Sequence, residues 1–191
     1  MSIEQFTVQP TSLILTIIPI ALIALGAVMV AAGFSKKLLH ILITYSLKSR
    51  PNENRWIYLI VGIIIIGLGA GIYAMNNIPS TITIGHQYVS YQSSFLGAGS
   101  MTINSDQIAN AYIGQLGLGN LTMTRTFGTS ADNVNIGLFA LGNGKMAHVV
   151  TNNKTSLIIE LKNGEYVILG TSDIEAFTES FSQNVYHINP P

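Results

Sequence analysis

The sequence predicts a membrane α-helical hairpin joined to a mainly-β domain. Three observations carry that prediction: two long uncharged apolar runs at residues 11–34 and 56–75, a cluster of cations between them, and a change of texture after residue 77. The expected division is a two-span unit over 1–77, with a basic cytoplasmic loop at 35–55, and an extracytoplasmic β domain over 78–191.

An α-helix rises about 1.5 Å per residue and the hydrocarbon core of a bilayer is about 30 Å thick, so each run is long enough to cross once. In the first run Pro19 removes a backbone donor, and Gly26, Ala27, Ala31 and Ala32 form a strip of small residues. In the second, Gly67 and Gly71 stand four apart with Ala70 and Ala74 alongside. Small residues at that spacing let helices approach closely, against the first span or against a partner helix. Neither run contains Asp, Glu, Lys, Arg or His, which argues against an ion path or proton relay within this chain alone.

Orientation follows from the cations. Lys36, Lys37, Lys48, Arg50 and Arg55 all fall between the runs, none precedes residue 11, and the next after Met75 is Arg125. Lys and Arg near membrane ends mark the cytoplasmic side, so both the N-terminus and the C-terminal domain are expected outside a multi-pass cell-membrane protein. No basic segment precedes the first run, so it does not read as a cleaved signal peptide. Residues 36–47 keep apolar residues at helical spacing and are expected to continue the first helix or lie along the interface. Residues 1–10 are expected as a loose polar lead.

Beyond Met75 the chain has four cations against seven carboxylates, a net charge of −3, although the whole chain balances at 9 and 9. A mildly acidic domain without a basic patch argues against nucleic acid as a partner. The absence of cysteine excludes disulfides, zinc-thiolate sites, iron–sulfur clusters and thiol catalysis. Asn120-Leu-Thr122 and Asn153-Lys-Thr155 are sequons and candidate glycosylation sites in an organism that glycosylates.

Short runs rich in Val, Ile, Thr and Tyr predict strands at 81–84, 88–93, 100–104, 108–113, 121–127, 134–141, 145–151, 156–161 and 165–169. Asn143-Gly144 and Asn163-Gly164 are hairpin signals. A helix then begins with Ser172 as N-cap and Glu175 three residues on, and Ile174, Phe177, Phe181 and Val185 give it one apolar face.

The successions TRTFG at 124–128, IGLFALGNGK at 136–145 and LIIELKNGEYVILGTSDIEAF at 157–177 resemble the bacterial pleckstrin-homology-like domains of small prokaryotic membrane proteins. The resemblance covers about half the chain, residues 78–185. It implies a seven-stranded, strongly bent barrel capped by the C-terminal helix, and it brings no catalytic residues and no agreed ligand.

No chemical constellation emerges from the spacing. His86, His148 and His187 have no recommended partner among Asp106, Asp132 and Asp173, and His40 has no second metal-binding group at helical spacing. The glycines of residues 114–119 do not make a phosphate loop, Glu160 and Glu165 read as a solvated rim pair, and Arg125 is expected to pair with a carboxylate inside the domain. The expected function is therefore a membrane-anchored interaction or accessory module in a larger membrane complex, without catalysis or cofactor. Its expected partners are the lipid bilayer and other membrane subunits, a second copy of the chain included. The alternative is a receptor-like domain that takes a small ligand, peptide or glycan at a rim lined by Tyr88, Tyr91, Tyr112 or Tyr166.

Overall fold

The computed structural model describes residues 3–9, 13–34, 55–76, 78–93 and 99–189. The loop cations Lys36, Lys37, Lys48 and Arg50, the segment 36–47 and residues 49–54 lie outside the described residues, as does the side chain of Arg55. The chain divides into two compact units, Met1–Ser12 with Asn77–Pro191, and Leu13–Asn76. Residues 1–12 therefore go with the β unit, not with the helices as the expected boundary at 77 had it.

The smaller unit is two helices of 22 residues, α1 (Leu13–Phe34) and α2 (Arg55–Asn76), each about 33 Å long. α1 runs unbroken through Pro19, which faces α2. The two helices meet through backbone, because their contact positions are small: a Cβ on Gly26 would lie 2.7 Å from the Gly62 carbonyl oxygen, and one on Gly62 2.8 Å from that of Gly26. Gly69 repeats the arrangement against the Pro19 carbonyl oxygen at 2.9 Å. The opposite faces carry large aliphatic side chains, among them Ile17, Ile20, Ile60, Ile63 and Leu68, each more than half exposed.

The larger unit contains ten strands among the described residues, in two sheets, and a closing helix. The first sheet orders β1 (Glu4–Val8), β2 (Ser80–Gly85), β3 (Tyr88–Gln92) and β4 (Ser100–Asn104), all antiparallel. The N-terminal lead expected to be loose is thus an edge strand. Phe6 and Val8 alternate inward, and Phe6 packs edge-on against Phe177 with ring centroids 5.2 Å apart. Val8 and Ser80 are register partners, so the helical pair is an insertion in the connection between two adjacent strands.

The second sheet comprises β5 (Ile108–Gln115), β6 (Met123–Ala131), β7 (Val134–Leu141), β8 (Met146–Thr151), β9 (Thr155–Leu161) and β10 (Tyr166–Gly170), in the order β5-β9-β10-β8-β7-β6. All nine strands expected from the sequence are present, with β1 added, against the seven that the resemblance implied. One pair is not antiparallel: β8 and β10 run parallel, because the three-residue link 152–154 carries the chain past β10 before it turns back as β9. Gly170, at the end of β10, leaves room for this passage, and above it the Thr151 and Ser156 hydroxyls are 3.0 Å apart.

Both Asn-Gly hairpins form. Gly144 and Gly164 take φ of 78° and 85°, and the Asn143 and Asn163 side chains accept from the backbone of Lys145 and Glu165 at 3.0 Å. The helix α3 (Ile174–Asn184) begins one residue later than expected: Asp173, not Ser172, is the N-cap, its carboxylate accepting from the Ala176 amide at 3.1 Å. Phe177 and Phe181 are fully buried against both sheets' apolar faces, alongside Ile82, Ile103, Leu157 and Leu169. A second cluster lies on the other side of β8–β10, around Phe139, Val149, Ile158 and Ile168, beneath Leu116 and Leu121.

Gly128 and Gly137, one in each of the first two motifs behind the resemblance, are register partners with φ of 114° and 140°. A Cβ on either would run into the other strand's backbone. Gly137→Val is expected to cost about 3 kcal/mol, from backbone strain and overpacking together, read as a lower thermal midpoint of the β unit in the full chain.

Candidate functional site

The small residues of the helical unit separate into two sets. Gly26, Ala32, Gly62 and Gly69 are buried between the helices, whereas Gly67 and Gly71 have nothing among the described residues within 4 Å of where a Cβ would stand. Ala70 and Ala74 are exposed on the same stripe, as are Ala27 and Ala31 on α1. The Gly67–Gly71 face is therefore not used by the first helix. Sequence reasoning could not assign it, because glycines occur on both sides of α2 and only the partner's position separates them.

In the β unit, β5 pairs with β9 on one side only, and its other edge is partly covered by the C-terminal segment. Asn189 bridges Tyr112 in the parallel sense and its amide donates to the Ala111 carbonyl at 2.8 Å. The Asn189 side chain donates to Asn110 at 2.7 Å, and the Tyr186 hydroxyl to the Ala109 carbonyl at 3.2 Å. Beyond this bridge lies a groove of about 510 Å³ lined by Tyr112, Ile113, Gly114, Leu118 and Leu121. Ile113 and Leu118 are 38% and 61% exposed, and a Cβ on Gly114 would lie 2.7 Å from the Leu121 side chain that roofs the groove. The pairing of Asn189 depends on an edge that is remote in sequence and left no local signal.

Residues 91–185 match the family model described as a bacterial PH domain. The β domain is PH-like. The match runs from β3 to the end of α3, so the helical insertion and the strands β1 and β2 that bracket it lie outside. Comparison with curated proteins and with solved structures gave no match.

The PH-like domain keeps most of the singled-out side chains apart. His86 and Asp106 line one cleft of about 360 Å³ beside Gln87 and Asn104, but no hydrogen bond joins them. His187 is exposed, and His148 is half-buried on β8 with its Nδ1 unpartnered among the described residues. Among the described residues no three metal-ligating side chains gather. Arg125 is exposed on the edge strand β6, and no ion pair to a carboxylate joins it among the described residues. Asn120 is exposed in a short turn, whereas the Asn153 amide, which a glycan would need, donates to the Thr171 carbonyl at 3.3 Å.

The tyrosines also divide. Tyr91 is 2% exposed in the core, and burial pushes its phenol up to about 12. Glu160 does not face Glu165; its register partner is Tyr166, and Glu165 accepts from Asn163 at 2.9 Å. Burial first, and then the hydrogen bond and charge of Glu160, raise the Tyr166 phenol, while burial and the same carboxylate raise Tyr112. Removing that negative charge favours the phenolates, so Glu160→Gln is expected to move the tyrosinate titration of both residues to lower pH. Spectrophotometric titration against Tyr166→Phe and Tyr112→Phe checks the assignment.

Proposed function

We propose that the protein is a membrane-anchored interaction module. Its helical hairpin crosses the cell membrane twice, and its PH-like domain stands on the extracytoplasmic side as a non-catalytic accessory part of a larger membrane assembly. The observation that carries this reading is the open Gly67–Gly71 face, left free once α1 has packed on the opposite glycines of α2. Lipid tails are as apolar as Leu or Ile, so helices in a bilayer associate through close backbone packing at small residues. A flat Gly/Ala stripe flanked by Ile63, Ile64 and Leu68 is suited to that contact.

Two further observations support the placement. Trp56–Ala74 is 19 residues long and apolar enough to cross a membrane, and Thr16–Ala32 is a shorter apolar stretch. Links of only four and three residues, 9–12 and 77–79, join the helices to the paired strands β1 and β2. A hairpin that crosses twice returns both of its outer ends to the membrane side away from the loop cations. The Lys and Arg excess of residues 36–55 then selects the outside for the domain.

The test is purification of the full chain in mild detergent, with and without Gly67→Ile and Gly71→Ile together. The wild type is expected to migrate as a complex, with itself or with other subunits. The double variant is expected to lose its partners at least tenfold while the thermal midpoint of the PH-like domain is unchanged. A wild type that runs as a lone monomer contradicts the proposal.

A further inference from the structure

The outward face of the first sheet is built from uncharged hydrogen-bonding side chains and one aromatic ring. Gln5, Thr83, Ser90 and Thr102 are register partners across all four strands, so they form one continuous row. Thr81, Gln92 and Ser100 form the next row, and the two rows line a cavity of about 350 Å³ in which no charged side chain takes part. Thr81, Thr83 and Ser90 at the centre are half-buried. Among the described residues none of these side chains bonds to another part of the chain, so their donors and acceptors point to whatever lies over the face.

On the other side of the first row, Tyr88 and Asn104 are register partners, and Tyr88 is also paired with Gly85. The Tyr88 ring covers Gly85, where a Cβ would collide with it; its hydroxyl would be 2.6 Å from that Cβ. The missing side chain lets the ring lie down along the sheet, leaving it half-exposed beside the hydroxyl and amide rows.

A ligand for this face must exchange many neutral hydrogen bonds and present an apolar C–H surface to a ring. No Lys, Arg, Asp or Glu lines this cavity, so it offers an ionic group no opposite charge, whereas its hydroxyls and amides match neutral donors and acceptors. The geometry points to a binding site for an uncharged saccharide. Its ring hydroxyls meet the Gln, Thr and Ser rows, with Gln5 and Gln92 offering both donor and acceptor, while its C–H face stacks on Tyr88. The strand spacing of about 4.8 Å repeats the same groups at regular intervals, which suits a chain of sugar units more than a single one. This reading does not rest on the membrane placement, because every residue in it belongs to the β unit.

The test uses the full chain in a detergent without a sugar headgroup, titrated calorimetrically with maltohexaose and chitohexaose as neutral probes and with heparin as an anionic one. At least one neutral probe is expected to saturate. Tyr88→Ala and, separately, Thr83→Val with Thr102→Val are each expected to weaken it tenfold or more, whereas Ile113→Ala in the β5 groove leaves it unchanged. The two sets of substitutions remove different contacts, so a folding defect in one variant does not decide the result. Failure of both neutral probes, preference for heparin, or binding indifferent to the Tyr88 and threonine changes overturns the site. None of these outcomes bears on the oligomeric state, so the earlier proposal stands or falls separately.

Discussion

The pairing of β1 with β2 is the constraint on which the rest of the architecture depends. Five register partners from Glu4↔Ile84 to Val8↔Ser80 close a sheet across the whole helical insertion. The strand places Phe6 against Phe177 and Val8 in the core, so the helix-capped interior is sealed partly by residues that precede the first apolar run. The same pairing fixes both outer ends of the helical pair to neighbouring strands.

Glycine is used in the two units for different reasons. Between α1 and α2 it shortens the distance between helices, with carbonyl oxygens at Gly26 and Gly62 where side chains would otherwise stand. At Gly128 and Gly137 it lets two strands meet with φ values that other residues resist, and at Gly85 it makes room for a ring. Among the described residues Gly67 and Gly71 fit none of these uses, and that makes them informative.

Much of the fold was legible because its signals are local. Strand texture, the Asn-Gly turns and the 3.6-residue spacing of Phe177, Phe181 and Val185 depend on neighbours a few positions away. What escaped depends on remote partners. The pattern of residues 4–8 is too short to declare a strand without the edge of β2 that receives it, and the parallel β8–β10 pair follows from where β9 returns. The helix start was misplaced by one residue because Ser172 and Asp173 are both good caps and only the geometry of Ala176 chooses. Of the four tyrosines expected at a rim, sequence alone could not tell that Tyr91 points inward while Tyr88, three residues earlier on the same strand, lies on the outer face. A one-residue difference in parity decides it.

A chain without cysteine allows the central claim to be tested directly. Thr7 and Thr81 are register partners on the outer face of β1 and β2, and Ser90 and Thr102 are partners on β3 and β4. In the intact chain, mild oxidation of Thr7→Cys with Thr81→Cys is expected to form an intramolecular disulfide as readily as Ser90→Cys with Thr102→Cys, seen as a reductant-sensitive mobility shift. A control pair that closes while the Thr7–Thr81 pair stays open would show that the N-terminal strand is not seated in the sheet, and the account of the helical pair as an insertion between two paired strands would be wrong.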